Sequence, residues 1–266
     1  MTDDLLPLDW RGIVAARTGV FSSGPVFFHD AIGSTNVEAR ALLRAGAPSG
    51  SLVLADEQTE GRGRLGRRWA APPRSGLALS LCLRLPASFP LYTAPVAAVL
   101  AVGAVVRDVV GDRATLKWPN DVLVDGLKVS GILIEVESTA PGWSIVVGVG
   151  LNVYAAPDLP NATALAAHTM APLSRETLAT TLLATLDREF VVAASAPSAL
   201  IARWGAQLAT IGQHVRVQAP TGPRHGFALG VDAEGALLLQ GDDGSIATIH
   251  AGDIVVDEIS PPMGHG

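Results

Sequence analysis

Thr59-Glu60-Gly61-Arg62-Gly63-Arg64-Leu65-Gly66-Arg67-Arg68-Trp69 decides between two folds. Its glycines, Gly61-x-Gly63-x-x-Gly66, have the spacing of the dinucleotide fingerprint, which would imply a doubly wound parallel sheet. That fingerprint needs a strand running straight into the glycines and a helix straight out. Here five polar residues, Asp56 to Glu60, follow the apolar run Ser51–Ala55, and Trp69-Ala70-Ala71-Pro72-Pro73 comes after the glycines. Two prolines do not open a regular helix at that point. A Walker loop is excluded because no Gly-Lys-Ser/Thr follows. What remains is a loop with four arginines and three glycines. Glycine leaves the backbone free to close, and guanidinium forks suit carboxylate and phosphate oxygens. Trp69 adds a flat face for a base or ring. Such a loop suits closure over a phosphate-bearing ligand, and its glycine content predicts no fixed order when empty. The same composition also fits a solvated surface loop.

The rest of the composition sharpens that choice. The chain has 266 residues, room for one large domain and a small one, and 48% apolar content allows a sizeable core. Its net charge is −6, whereas a protein that grips DNA is usually basic. The arginine cluster is therefore a local device aimed at a small anion. A single cysteine, Cys82, inside the run Leu79–Leu83, cannot form an internal disulfide and has no zinc-type spacing, so it reads as a buried thiol. The start, MTDDLLPLDW, is acidic and has no signal-peptide core. The most apolar stretch, Tyr92 to Val110, carries Pro95, Arg107 and Asp108 and reads as a buried helix rather than a membrane span. These features point to a cytoplasmic protein without a membrane partner.

Outward from the loop, strands are expected at Pro25–His29, Ser51–Ala55 and Gly76–Leu85. A helix is expected from Thr35, which has capping-box spacing to Glu38, as far as Gly46 as its C′ glycine. After the apolar helix come strand signals at Ala114–Trp118, Val122–Val124, Lys128–Glu137 and Trp143–Val153, with Asp125-Gly126 as a hairpin turn. A helix capped by Ser174 runs to Ala194, and another runs from Pro197 to about Thr210. From Ile211 the texture becomes short alternating strands between turn residues. Helix–strand mixtures followed by a meander suit an α+β fold, with domains at 1–210 and 211–266.

Three further motifs carry chemistry. Lys117-Trp118-Pro119-Asn120-Asp121 ends one strand, and Lys128-Val129-Ser130-Gly131-Ile132-Leu133 begins another. If those strands pair around Asp125-Gly126, the two lysines sit at neighbouring strand ends, where an anion between them relieves their repulsion. Edge lysines that discourage aggregation are the alternative. Gly131 interrupts an apolar strand, which often marks close approach by a ligand. Ser34-Thr35-Asn36 either caps a helix or reads a polar ligand head.

Taken in order, Ser34-Thr35-Asn36, the loop Gly61–Arg67, Lys117–Asp121, Lys128–Leu133 and Gly148-Val149-Gly150-Leu151-Asn152-Val153 resemble the biotin protein ligase family. The resemblance implies a mixed β-sheet with flanking helices, like class II aminoacyl-tRNA synthetases, plus a small C-terminal SH3-like β-barrel. It implies an enzyme that activates biotin with ATP and magnesium to biotinyl-5′-AMP, releasing pyrophosphate. Biotin then passes to a lysine of a biotin carboxyl carrier domain of acyl-CoA carboxylases. Lys128, Arg64 and Asp121 are the implied catalytic residues. Ser34, Thr35, Asn36, Gln58, Arg62, Gly63 and Gly131 join Arg64 and Lys128 around biotin. Arg67, Trp69, Lys117, Asn120 and Asn152 join Arg64 and Lys128 around the nucleotide, Trp69 packing on adenine and Asn152 meeting its amine edge. No protein ligand for magnesium is implied. Leu65 stands where many members place another arginine. About 25 residues precede the first strand, too few for the helix-turn-helix of the DNA-binding members, so no DNA partner is expected. A lipoate or octanoate attachment enzyme of the same broad fold and a non-catalytic binder or repressor are the rival readings.

Overall fold

Strands that are apolar at nearly every position belong in a sheet covered on both faces, and Leu52-Val53-Leu54-Ala55 and Ile145–Asn152 are such strands. The computed structural model describes residues 5–256; residues 1–4 and 257–266, the outer ends of the two expected domains, lie outside it. A seven-stranded sheet is built from β1 (Val26–His29), β2 (Leu52–Ala55), β3 (Gly76–Pro86), β4 (Ala114–Lys117), β5 (Asp121–Val124), β6 (Leu127–Thr139) and β7 (Gly142–Asn152). Their order is β1-β2-β3-β7-β6-β5-β4, with β1 and β2 parallel and the other neighbours antiparallel.

Helix α2 (Thr35–Arg44) covers one face of this sheet, packing Ala39 and Leu43 on Val53, Cys82 and Val146. Cys82 is fully buried there, and burial pushes its thiol up to about 12, as expected of an inert core cysteine. The opposite face carries α3 (Thr93–Val110) and α4 (Arg175–Ser195). α3 is long and apolar enough to cross a membrane by composition, yet thirteen of its residues are buried against the sheet and α4. Pro95 falls in its first turn, where the missing N–H costs nothing. α4 begins as expected, with Ser174 Oγ accepting from Thr177 N at 3.1 Å.

Several expectations need correction. Ser34, not Thr35, holds the N-cap position of α2, and its hydroxyl makes no capping bond. Thr35 turns its own hydroxyl to Gln58 instead. The helix beginning at Pro197, α5 (Pro197–Gly205), stops short of Thr210, because the chain leaves it to bond β4: Leu116 N donates to Gln207 O and Ala209 N to Leu116 O. An open strand edge won over local helix propensity. An N-terminal helix, α1 (Trp10–Ala16), capped by Asp9 on Gly12 N, gave no periodic signal because it is barely two turns long.

The chain then forms a second, five-stranded antiparallel sheet from β8 (His214–Ala219), β9 (Gly222–Val231), β10 (Leu237–Gln240), β11 (Ile246–Ile249) and β12 (Asp253–Val256), in the order β11-β10-β9-β8-β12. β12 closes this sheet by pairing antiparallel with β8, Asp253 opposite Gln218. Trp118 joins the two sheets: its indole N–H donates to Gly235 O at 3.1 Å and its backbone N–H to Thr210 Oγ1. A mixed sheet with flanking helices and a small β module is the expected α+β architecture.

Candidate active site

Three glycines on the central strands open the α2 face of the sheet. Gly131 lies on β6, and Gly148 and Gly150 lie on β7, with Gly131 registered against Gly150. A Cβ on Gly148 would overlap Asn36 Oδ1, and one on Gly150 would overlap the Trp69 indole. A Cβ on Gly131 would stand 3.1 Å from Lys128 Cε and 3.2 Å from the Trp69 ring. These strands are extended at the glycines, so the requirement is for space, not for an unusual backbone. A cleft of about 100 Å³ sits on this floor.

One end of the cleft is lined by uncharged polar side chains that are hydrogen-bonded to one another. Gln58 Oε1 accepts from Thr35 N at 2.9 Å and from Thr35 Oγ1 at 3.0 Å. Ser80 Oγ lies 2.8 Å from Thr35 Oγ1 and 2.7 Å from Asn36 Oδ1. Asn36 Nδ2 donates to Glu135 Oε2 at 2.9 Å. Ser34 Oγ lines the cleft, buried and without a hydrogen-bond partner. A buried hydroxyl without a partner is costly unless a ligand supplies one.

The other end is cationic. The arginine loop is folded here, contrary to the expectation of disorder. Gly63 N donates to Arg67 O, Trp69 N donates to Gly61 O, and Arg62 bridges Arg68. Its tip, Arg64–Gly66, is one 3₁₀ turn in which Leu65 adopts φ 54°. Carboxylates hold its arginines in place: Arg62 lies 3.6 Å from Glu135 Oε1, and Arg67 lies 2.9 Å from Asp253 Oδ2 on β12. Arg64 Nη1 donates to Asn120 Oδ1 at 3.1 Å, and Asn120 Nδ2 donates to Ile132 O. Burial pushes the Arg64 guanidinium below its ordinary value, opposed by Asp253 and Asp121. A half-buried cation in that condition is stabilised by an arriving anion.

The lysines are arranged differently from the expected pair of neighbouring strand ends. β5 lies between β4 and β6, and Asp121 stands between the two: it is registered with Lys117 on one side and Gly131 on the other. Lys128 Nζ lies 2.7 Å from Asp121 Oδ1 and 5.8 Å from the Trp69 ring centroid. Val129 is an extra residue in the pairing of β5 with β6, a bulge of the kind that re-aims a side chain beside a site. Lys117 is pushed down chiefly by burial, with Asp121 pulling it up and Lys128 pushing it further down.

Of the residues implied by the sequence, Ser34, Thr35, Asn36, Gln58, Arg62, Gly63, Arg64, Arg67, Trp69, Asn120, Asp121, Lys128 and Gly131 line this one cleft. Lys117 and Asn152 do not reach its wall. Asn152 is buried at the end of β7, donating to Thr163 O at 3.0 Å, while its Oδ1 has no partner. Sequence reasoning gave no site role to Ser80, Glu135, Gly148 (though it opens the motif 148–153) or Asp253. The first three sit in strands at the period-2 positions facing α2, a signal visible only once the sheet face is known; Asp253 arrives from the other sheet.

Two family profiles match the chain: the Biotin/lipoate A/B protein ligase family over residues 31–152, and the Biotin protein ligase C terminal domain over residues 210–257. The chain is 38% identical over 238 residues to the biotin–[acetyl-CoA-carboxylase] ligase of Mycobacterium tuberculosis, covering 84% of this chain and 85% of that one. It is 34% identical over 242 residues to the bifunctional ligase/repressor BirA of Bacillus subtilis, covering 86% and 73%. Among solved structures, biotin protein ligase from Aquifex aeolicus in complex with biotin and ATP superimposes with a TM-score of 0.72 at 25% identity, covering 86% and 97%. Profiles that together span both modules, and a relative 38% identical along most of both chains, show that the chain belongs to the biotin protein ligase family.

Proposed function

We propose that this protein is an ATP-dependent biotin protein ligase. It joins biotin to ATP as biotinyl-5′-AMP and then passes the biotinyl group to a lysine of a biotin carboxyl carrier domain of acyl-CoA carboxylases. The observation that carries this reading is the meeting of Arg64, Arg67 and Lys128 with Ser34, Thr35 and Gln58 in one cleft.

In the first step a biotin carboxylate oxygen attacks the α-phosphorus, the bond to the β-phosphate oxygen breaks, and pyrophosphate leaves. Two anions must approach closely. At about 4 Å, like unit charges repel by roughly 4 kcal/mol at an effective dielectric of about 20. Lys128 is the cation that bridges carboxylate and α-phosphate, and Arg64 and Arg67 hold phosphate and acyl-adenylate. Ser34, Thr35, Asn36 and Gln58 present hydroxyl and amide groups to the ureido ring, and Arg62 and Gly63 close over it. Trp69 packs on adenine and Asn120 borders the nucleotide; Lys117 and Asn152, outside the wall of the empty cleft, join the nucleotide side when it fills, Asn152 through its unpartnered Oδ1. In the second step the carrier's lysine amine attacks the acyl carbonyl, AMP departs and the ammonium proton is lost. Asp121 orients that incoming lysine.

A cleft of about 100 Å³ is far below the several hundred Å³ usual for a ligand site. It shares Arg64, Asn120 and Ile132 with an adjoining cavity of about 330 Å³, so the two together offer the room that biotin and a nucleotide need. Magnesium enters with ATP as substrate, held by phosphate oxygens and water; among the described residues no three His, Cys, Asp or Glu side chains gather as ligands. In this reading residues 1–210 form the catalytic unit and 211–266 the small module. Use of ATP supports a cytoplasmic site of action, and a net charge of −6 supports action without DNA.

Biotin-dependent exchange of labelled pyrophosphate into ATP tests the reading. Exchange with biotin and none with lipoate is expected; folded protein that exchanges with neither ends it.

A further inference from the structure

Beside Lys128 lies a chain of side chains that the proposed chemistry does not use, buried at Thr163 and His168 and open to solvent at Asp125 and Arg113. His168 Nε2 is 2.7 Å from Thr163 Oγ1, and His168 Nδ1 is 3.0 Å from Asp125 Oδ2. Thr163 is 7% exposed and the His168 side chain 11%. Arg113 closes the ring, with Nη1 3.6 Å from the same Asp125 oxygen and Nη2 donating to His168 O. Asp125 belongs to the β5–β6 turn and Arg113 to the turn before β4. His168 follows the one-turn 3₁₀ segment Leu165–Ala167.

Hydroxyl, imidazole and carboxylate here have the order of a nucleophile, a base and its orienter. The backbone argues for a different use. Thr163 N donates to Lys128 O at 2.9 Å, and Lys128 N donates to Asn161 O at 2.8 Å. Residues 161–163 thus pair with Lys128 on the side of β6 where β7 pairing has ended, since that pairing begins at Ser130. Thr163 O, in turn, accepts from Asn152 Nδ2. One short segment therefore holds the backbone of Lys128 and the side chain of Asn152, and it has no secondary structure of its own to fix it.

We infer that His168 is a positioning residue, which through Thr163 locks the 161–163 segment against Lys128 and Asn152. In this arrangement Nδ1–H donates to Asp125, leaving Nε2 as an acceptor for the Thr163 hydroxyl. The lock ties the lysine at the reacting phosphate and the amide at the adenine to one rigid support, while Thr35, Asn36 and Gln58 are held independently by Ser80 and Glu135. The inference rests on the roles given above to Lys128 and Asn152, and predicts that loosening the lock harms nucleotide use and spares biotin.

The test uses the full chain with His168→Ala, His168→Gln, Thr163→Val and the double variant His168→Ala/Thr163→Val. In pyrophosphate exchange, each disruptive single variant should raise the KM for ATP about tenfold, the size of one lost side-chain hydrogen bond, with the biotin Kd by calorimetry within about twofold. The double variant should lose no more than either single, because both cut the same link. His168→Gln, whose amide can donate to Asp125 and accept from Thr163, should recover most of the loss. Amide hydrogen exchange reads the lock without activity: protection at Lys128 and Thr163 should fall by about tenfold while Leu133 to Val136 stays unchanged. Unchanged protection at Lys128 overturns the inference, as does equal weakening of biotin and ATP, or multiplying losses in the double variant. Lost protection in the variants, together with no biotin-dependent exchange by the wild-type protein, would instead strike the ligase reading and leave the lock intact.

Discussion

Asp121 Oδ1 lies 2.7 Å from Lys128 Nζ, so the lysine assigned to the acyl phosphate is already paired with a carboxylate in the free protein. The pair is partly solvated, with Lys128 34% and Asp121 19% exposed, and arriving substrate oxygens can replace the carboxylate. Lys128→Ala should lower biotin-dependent pyrophosphate exchange by about 100- to 1,000-fold, the range seen when one preorganised charge-stabilising donor is removed. Asp121→Asn should leave exchange within a few-fold and slow transfer from preformed biotinyl-5′-AMP to the carrier. Single-turnover measurements of both steps check this, and a Lys128→Ala enzyme exchanging at the wild-type rate would remove the assignment.

Gly148 is the most crowded glycine of the floor. A methyl group there overlaps Asn36 Oδ1, and Asn36 cannot retreat because Ser80 and Glu135 grip both ends of its amide. Gly148→Ala should weaken biotin at least about tenfold, equivalent to roughly 1.4 kcal/mol, by displacing one hydrogen-bonding group. The KM for ATP should change little. Titration calorimetry with biotin decides the point.

Arg175 and Asp56 form an ion pair at 2.7 Å with side chains only 4% and 2% exposed. Asp56 also accepts from Leu8 N, and its backbone carbonyl takes Arg74 N, so the pair anchors the base of the arginine loop to α4 and the N-terminal segment. Arg175→Met leaves the buried carboxylate only the more distant, half-exposed Arg74 at 4.0 Å and should cost about 3 kcal/mol in urea unfolding. Adding Asp56→Asn should restore part of that loss. A single variant as stable as wild type would show the pair to be dispensable.

Lys117 gives a pH signature. Burial, the largest influence, lowers its folded-state pKa from the ordinary 10.5. Between that lowered value and 10.5 the unfolded chain holds the proton that the native chain has shed, so this group's contribution to stability rises with pH across the window. Below the window both states carry the charge and its burial cost is present in full. Lys117→Met should therefore raise the Tm at neutral pH and flatten its alkaline rise. It should also raise the KM for ATP about tenfold, as expected for one lost charge-assisted contact. Thermal unfolding from neutral to alkaline pH, with exchange kinetics beside it, separates the two effects.

Much of this was legible along the chain. The loop could be refused as a dinucleotide fingerprint because Pro72 and Pro73 and the polar run Asp56–Glu60 are local facts. The strand boundaries followed from apolar runs, the Asp125-Gly126 hairpin from its turn residues, and the start of α4 from Ser174. Other features were not legible for stated reasons. The capping-box reading of Thr35 failed because Gln58, 23 residues away, offers its hydroxyl and N–H a better acceptor. The lysines were expected to be neighbours because the sequence does not tell which strands flank β6. Asp253 was invisible because it comes from the second sheet to meet Arg67.

By itself, then, the amino-acid order determined which residue types exist to do chemistry and which segments become strands and helices, since hydrophobic period, capping and turn preference act over a few residues. Tertiary structure alone decided that Gly131, Gly148 and Gly150 share one floor, that Asp121 stands between Lys117 and Lys128, and that Glu135 and Asp253 restrain the arginine loop. Those relations depend on strand order and register. They are set by burying both faces of a sheet at once, a condition that no short stretch of sequence can satisfy or reveal.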